Sequence, residues 1–152
     1  MRKRVITDEQ RGAGDDWLDL AAIAQVEITS EEADHPIESA LSGKEPGWRA
    51  SRQGEQRIRL LFDKPQSIRR IRVGFDVDSA RTQEFVLRWS ADDGRTYREV
   101  VRQQYTFSPP NTTREIEDYT VNLPELTQLE LQIAPDISGG TARASLSQLR
   151  VA

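Results

Sequence analysis

The chain has no cysteine and a single histidine, His35, among its 152 residues. The missing thiols exclude disulfides, thiolate zinc sites and cysteine nucleophiles. One histidine leaves neither a serine-type triad nor an all-histidine metal site easy to assemble. No apolar run approaches the ~20 residues of a bilayer-spanning helix. Nor is there a block of one charge: the net charge is −4 with acids and bases interspersed, which gives no push toward nucleic acid or an anionic membrane. The basic start Met1-Arg2-Lys3-Arg4 resembles the head of a signal peptide, but Val5-Ile6 runs at once into Thr7-Asp8-Glu9-Gln10. With no apolar segment after it, the expectation is a cytoplasmic protein, though an exported one whose leader has been removed is compatible. No Gly/Ser/Pro-rich linker divides the chain, and no internal repeat is evident. A length of 152 residues with 36% hydrophobic residues suits one domain with a sizeable core.

What is present is alternation. Residues 55–62 set Ile58, Leu60 and Phe62 against Arg57 and Arg59. Residues 68–77 set Ile71, Val73, Phe75 and Val77 against Arg70 and Arg72, and residues 83–90 align Phe85, Leu87 and Trp89. A period of two marks half-buried strands of an antiparallel sheet. Further strands are expected at 23–29, 96–107, 115–123, 127–134 and 144–151. Asp63-Lys64-Pro65, Asp93-Gly94 and Leu123-Pro124 fall between runs, where Gly and Pro set turns. Eight strands at this spacing predict an all-β antiparallel β-sandwich of jelly-roll type. Helix is confined to short pieces, 15–22 and one turn at Pro36–Leu41 begun by proline at a first helical position.

Strand order then sorts the connections. In an antiparallel succession alternate connections emerge at opposite ends. Those near 63–67, 91–95 and 124–127 are short and share one end. Those near 31–54, 76–82, 108–114 and 135–143 are longer and share the other. Binding residues concentrate on loops carried by a rigid scaffold, so the long-loop end is the expected site.

The segments Ser39-Ala40-Leu41-Ser42-Gly43 and Gly47-Trp48-Arg49-Ala50 resemble the loop-to-tryptophan segment of discoidin, or coagulation-factor C-type, domains, within the galactose-binding-domain-like jelly rolls. Gln56–Leu60, Ser67–Val73, Leu87–Tyr97 with its serine and Asp-Gly turn, and Ala144–Val151 are similar to later strands of that family, in order. The resemblance spans residues 25–152 and leaves 1–24 as an N-terminal extension. It implies a non-catalytic binding module, for carbohydrates in many bacterial members and for phospholipid head groups or proteins in animal ones. It also implies a structural calcium, held by carbonyls and an acid before the tryptophan and a glutamate in the last strand. Here the loop reads Ser42-Gly43-Lys44 and the closing position is Gln148. Calcium needs anionic oxygens, so no cofactor is expected and calcium binding is expected to be absent or weak. Lys44 could fill part of the space.

The ligand residues expected at the long-loop end are His35, Arg81, Asn111, Arg114, Phe107 and Asp136. An arginine fork fixes a small polar ligand well, the paired prolines of Ser108-Pro109-Pro110-Asn111 stiffen a loop, and Phe107 or Tyr105 could offer a platform. His35 could equally cap a turn, and the aromatics could equally be buried. Gly139-Gly140 either admits a close neighbour or is a flexible tip. Trp48 and Trp89 are expected in the core, and Trp17 as a staple for the N-terminal segment. Seven outward strand arginines (Arg57, Arg59, Arg70, Arg72, Arg88, Arg98 and Arg102) interleave with Glu84, Glu99 and Glu130, as cross-strand ion pairs require. No aromatics interleave to stack bases.

Two function classes follow: a carbohydrate-type or other small-polar-ligand module, and a protein-interaction or assembly module using the same loops or a sheet face. A jelly-roll glycosidase using two acids, from among Glu115, Glu117, Asp118 and Asp136, is a remote third.

Overall fold

A computed structural model of the chain describes residues 16–152; the basic start Met1–Arg4 and the first residue of the expected helix 15–22 lie outside that range. The elements in order are α1 (Leu20–Ile23), β1 (Ala24–Ile28), α2 (Ile37–Leu41), β2 (Trp48–Arg49), β3 (Gln56–Asp76), β4 (Arg81–Ser90), β5 (Arg98–Phe107), β6 (Arg114–Ala134), β7 (Ser145–Leu146) and β8 (Gln148–Val151). The helices are shorter than the pattern suggests, and Pro36 caps α2 rather than opening it.

The expected strands 55–62 and 68–77 are two arms of one strand, as are 115–123 and 127–134. β3 and β6 are each 21 residues long and pair antiparallel from Gln56 opposite Ile133 to Asp76 opposite Arg114. Laid straight, such a strand would reach about 70 Å. Yet Gly54, just before β3, donates its N–H to the Ala142 carbonyl, and the Asp76 carbonyl at the far end accepts from Ser145 Oγ. Both ends of β3 meet the same short stretch of chain, so the ribbon folds over on itself. The fold lies where the register slips between Leu61 and Arg70. Asp63–Pro65 and Leu123–Pro124 are therefore bends in a continuous ladder, not reversals. Two strands that bend together keep their pairing on either side, which alternation alone does not distinguish from two hairpins.

The fold-over makes two layers. In one, the strand order is β1-β3-β6-β4-β5; beyond the bend, β8 pairs with β3 at Ile71–Gly74. β2 and β7 form a separate two-stranded piece. The result is the expected antiparallel β-sandwich of jelly-roll type. Between the layers Ile58, Leu60, Leu129 and Leu131 of one face meet Ile71, Val73 and Phe75 of the other in a single core, each at most 1% exposed. Each such side chain contributes roughly 1.5–3 kcal/mol by leaving water.

The outward arginines are largely matched. Arg59 and Arg88 both bond Glu130, Arg70 and Arg72 share Asp118, and Arg102 bonds Glu84 and Glu99. Glu130 is only 5% exposed, so it is a buried hub and not a member of a solvated face. The Leu18 N–H donates to the Val151 carbonyl at 2.9 Å, and Trp17 lies 4.4 Å beneath the Arg70 guanidinium. The described part of the N-terminal extension is thus pinned to the β3–β8 layer by a backbone bond and a cation–π contact.

Candidate functional site at the long-loop end

Because the ribbon folds back, the long connections gather at one end. Val77 N–H donates to the Thr113 carbonyl, Ile137 N–H to the Thr82 carbonyl, and Arg143 Nη1 to Glu32 Oε1 at 3.1 Å. At the other end the short connections meet, with Asp93 N–H donating to Thr127 Oγ1. There Asp93 and Gly94 both take positive φ (59° and 86°), the conformation a tight Asp-Gly turn requires. Hydrogen bonds from Thr96 and Ser90 hold the Asp92 carboxyl down to about 2.

Between the long loops lies an open groove of two adjoining hollows, of about 510 and 480 Å³, that share Pro46, Arg49, Asp76 and Ser145. His35 and Arg114 line the first; Glu32, Asp78, Arg81 and Arg143 line the second. Glu32 is a junction, 3.1 Å from Arg143, 3.4 Å from His35 Nδ1 and 3.9 Å from Arg49. Asp76 pairs with Arg114 at 3.3 Å. Arg81 is held differently: Nη1 donates to the Arg143 carbonyl at 3.0 Å and Nη2 to Ser79 Oγ at 2.6 Å. Among the described residues no carboxylate lies within 4.0 Å of it, and its Nε is buried without a partner. Burial lowers its pKa from the ordinary arginine value, opposed by the fields of Asp78 and Asp136. A guanidinium fixed in place, desolvated and short of a carboxylate is a preformed anion or hydroxyl receptor.

Of the expected ligand residues, His35, Arg81 and Arg114 come together here. Asn111 stands exposed at the tip of its loop, where its N–H closes a turn onto Ser108, and it lines neither hollow. Asp136 lines neither hollow and spends a carboxylate oxygen on the N–H and hydroxyl of Ser138, which hold its pKa down. Phe107, by contrast, is not available to a ligand: it is 1% exposed, with its ring 4.8 Å from that of Tyr105. It ends β5 on the inward phase, so its ring joins the core and is no platform. Among the described residues Trp48 is the one phenyl or indole ring lining the groove, and it is likewise 1% exposed, its Nε1 donating to the Ser30 carbonyl. These residues therefore give the groove no exposed phenyl or indole face. Among the described residues nothing lies within 4 Å of a Cβ added at Gly139 or Gly140, so none of them approaches these glycines closely. Glu32 and Asp76 were not anticipated. The only signal for Glu32 is its place three residues before His35, and Asp76 is one more outward position on a strand.

The loop before Trp48 has another tenant. Arg150 Nη1 donates to the Ser42 carbonyl at 3.2 Å, and its guanidinium lies where a Cβ on Gly43 would stand, 2.4 Å from Nη1. Gln148 packs against Gly74 on β3. Among the described residues no group of three or more His, Asp or Glu side chains could hold a metal ion. Away from the groove, on the seam between β5 and β6, burial and a hydrogen bond to Glu117 push Glu115 up to about 7, opposed by a hydrogen bond from Tyr105. Gln103 donates to Glu117 at 2.9 Å, and Tyr119 bonds Gln103.

No family model matches the chain, and no curated protein matches it. Solved structures do. The fold is shared with family 32 carbohydrate-binding modules. The module of Clostridium perfringens NanJ, solved with galactose, superposes with a TM-score of 0.64 at 16% identity, over 89% of this chain and 96% of that one. The module of AlyQ, solved with 4,5-unsaturated mannuronic acid, gives 0.64 at 15% identity, over 90% and 97%. A third, from a C. perfringens family 89 protein in complex with GalNAc-β-1,3-galactose, gives 0.64 at 18%, over 90% and 99%. Likeness at this identity establishes the shared jelly-roll architecture.

Proposed function

We propose that the protein is a non-catalytic module that binds a carbohydrate-type ligand in the groove at its long-loop end. The single observation that carries this reading is the convergence of His35, Arg49, Arg81 and Arg114 on one open hollow system built from separate loops. Hydrogen-bonding forks on fixed backbone are what a polyhydroxylated ligand needs. Likeness to modules solved with sugars over most of both chains supports it. No catalytic role is assigned. Glu115 and Glu117 are neighbours on one strand face and bond each other, whereas a glycosidase needs acids across a cleft holding the sugar. Calcium is not part of the proposal either. The Ser42 carbonyl already faces the Arg150 guanidinium, a cation set against the loop, and Glu45 is the loop's one acid, so these donors do not fit the ion. Affinity electrophoresis against a polysaccharide panel tests the reading. Retardation by at least one polysaccharide, lost in Arg49→Ala with Arg114→Ala, is expected; free migration through every gel contradicts it.

A further inference from the structure

We infer that the ligand is an acidic saccharide, a uronate, whose carboxylate is received by Arg81. The inference rests on the carbohydrate reading above and narrows its class. Two features of the groove point the same way. The first is charge matching. Asp76 is taken up by Arg114, which leaves Arg49, Arg81 and Arg143 facing Glu32 and Asp78 across the second hollow. Glu32 already serves both Arg143 and Arg49. Among the described residues Asp78 forms no ion pair, so Arg81 remains without a carboxylate in contact, in a wall with one guanidinium in excess.

The second feature is what the groove lacks. A neutral sugar presents an apolar ring face, and an exposed aromatic is the usual way to gain from it. Among the described residues the only large aromatic at the groove, Trp48, is sealed in the core. Binding strength must then come from polar and ionic contacts, and charge-assisted hydrogen bonds are the strong ones. Arg81 is suited to supply them. Its fork is already positioned by Ser79 and the Arg143 carbonyl, so little freedom is lost when a ligand arrives. Its desolvation raises the gain from an incoming anion.

The test uses the full chain in calorimetric titrations with trimers of galacturonate, mannuronate and glucuronate. Each is paired with its fully methyl-esterified counterpart, which keeps the shape and removes the charge. At least one acid is expected to bind about tenfold to a hundredfold tighter than its ester. That preference should weaken with added salt, fall away in Arg81→Ala and persist in part in Arg81→Lys, while Arg57→Ala on the sheet face leaves it unchanged. Thermal melts accompany each variant, and Arg81→Gln serves if the alanine variant does not fold. Esters or a neutral galactotriose binding as tightly as the acids would overturn the inference and leave the carbohydrate reading standing. An acid preference that survives in Arg81→Gln would overturn the assignment to Arg81. Absence of binding by every saccharide, acidic and neutral, would sink both.

Discussion

At the scale of single residues, what a side chain is worth depends on which phase of its strand or which wall of its loop it occupies. Trp48 and Phe107 sit next to the groove in sequence and inside the core in space. Trp48→Ala is accordingly expected to cost about 3–5 kcal/mol of stability, read by denaturant unfolding. A variant with unchanged stability and selectively lost binding would instead make Trp48 a contact residue. Glu130 bonds two arginines while 5% exposed, so Glu130→Ala takes the buried carboxylate from both and leaves Arg59 with Glu27 and Arg88 with Gln132. A loss of about 1.5–3 kcal/mol is expected. Glu115 carries a pH signature. Its folded pKa, about 7, stands above the ordinary value, so the folded state holds a proton that the unfolded chain has released. That contribution is present at low pH, declines above the unfolded pKa of about 4.5 and is lost as pH passes 7. Glu115→Gln should therefore raise the melting temperature relative to the parent at pH 8 and change it little at pH 4.5. Equal shifts at both pH values would contradict the pairing with Glu117.

At the scale of elements, the long β3–β6 ribbon decides where everything else goes. Period-two alternation in 55–62 and 68–77 was sufficient to place the strands and their inward faces, because burial on one side of a pleat leaves that mark in the sequence. It did not reveal that the strands are continuous through Asp63–Pro65, since a bend and a hairpin use the same Gly/Pro/Asp residues. The assignment of connections to two ends survives this, because a ribbon folded over returns its ends to the same side as a hairpin does. β2 escaped notice because two residues show no period. Its placement relies on Gly47, which adopts φ +79° with the Leu146 carbonyl 2.7 Å from where a Cβ would stand. Gly47→Ala is expected to destabilise by about 2 kcal/mol or more, through both strain and the backbone clash. A neutral effect in thermal melts would show that β2 and β7 do not need this close approach.

At the scale of the molecule, the candidate site was legible as a place more than as a set of residues. Loop length and strand order located the groove, since connections at one end of a sandwich must converge. His35, Arg81 and Arg114 could be picked out as polar residues of unusual type on those loops. Asn111 and Asp136 look the same in sequence, but Asn111 stands exposed outside both hollows with its N–H closing its own turn, and Asp136 bonds Ser138. Glu32 and Asp76 could not be picked out, because their roles arise from partners over a hundred and nearly forty residues away, Arg143 and Arg114. The loop before Trp48 behaves in the same way: Ser42-Gly43-Lys44 is visible in the sequence, but the guanidinium that lies on it comes from the last strand. Chelation should then leave the melting temperature unchanged, and a drop of several degrees with EDTA would contradict the assignment of Arg150 to that loop.

The central claim is that the long-loop end of the sandwich is where a saccharide binds. The most direct measurement is a backbone amide titration by NMR with the saccharide that performs best in the binding panel. Shifts are expected to concentrate in residues 31–54, 76–82 and 135–143, with the opposite end at 91–97 and 124–128 unmoved. Shifts centred on the β4–β5 face or the short-loop end, with the groove silent, would contradict it.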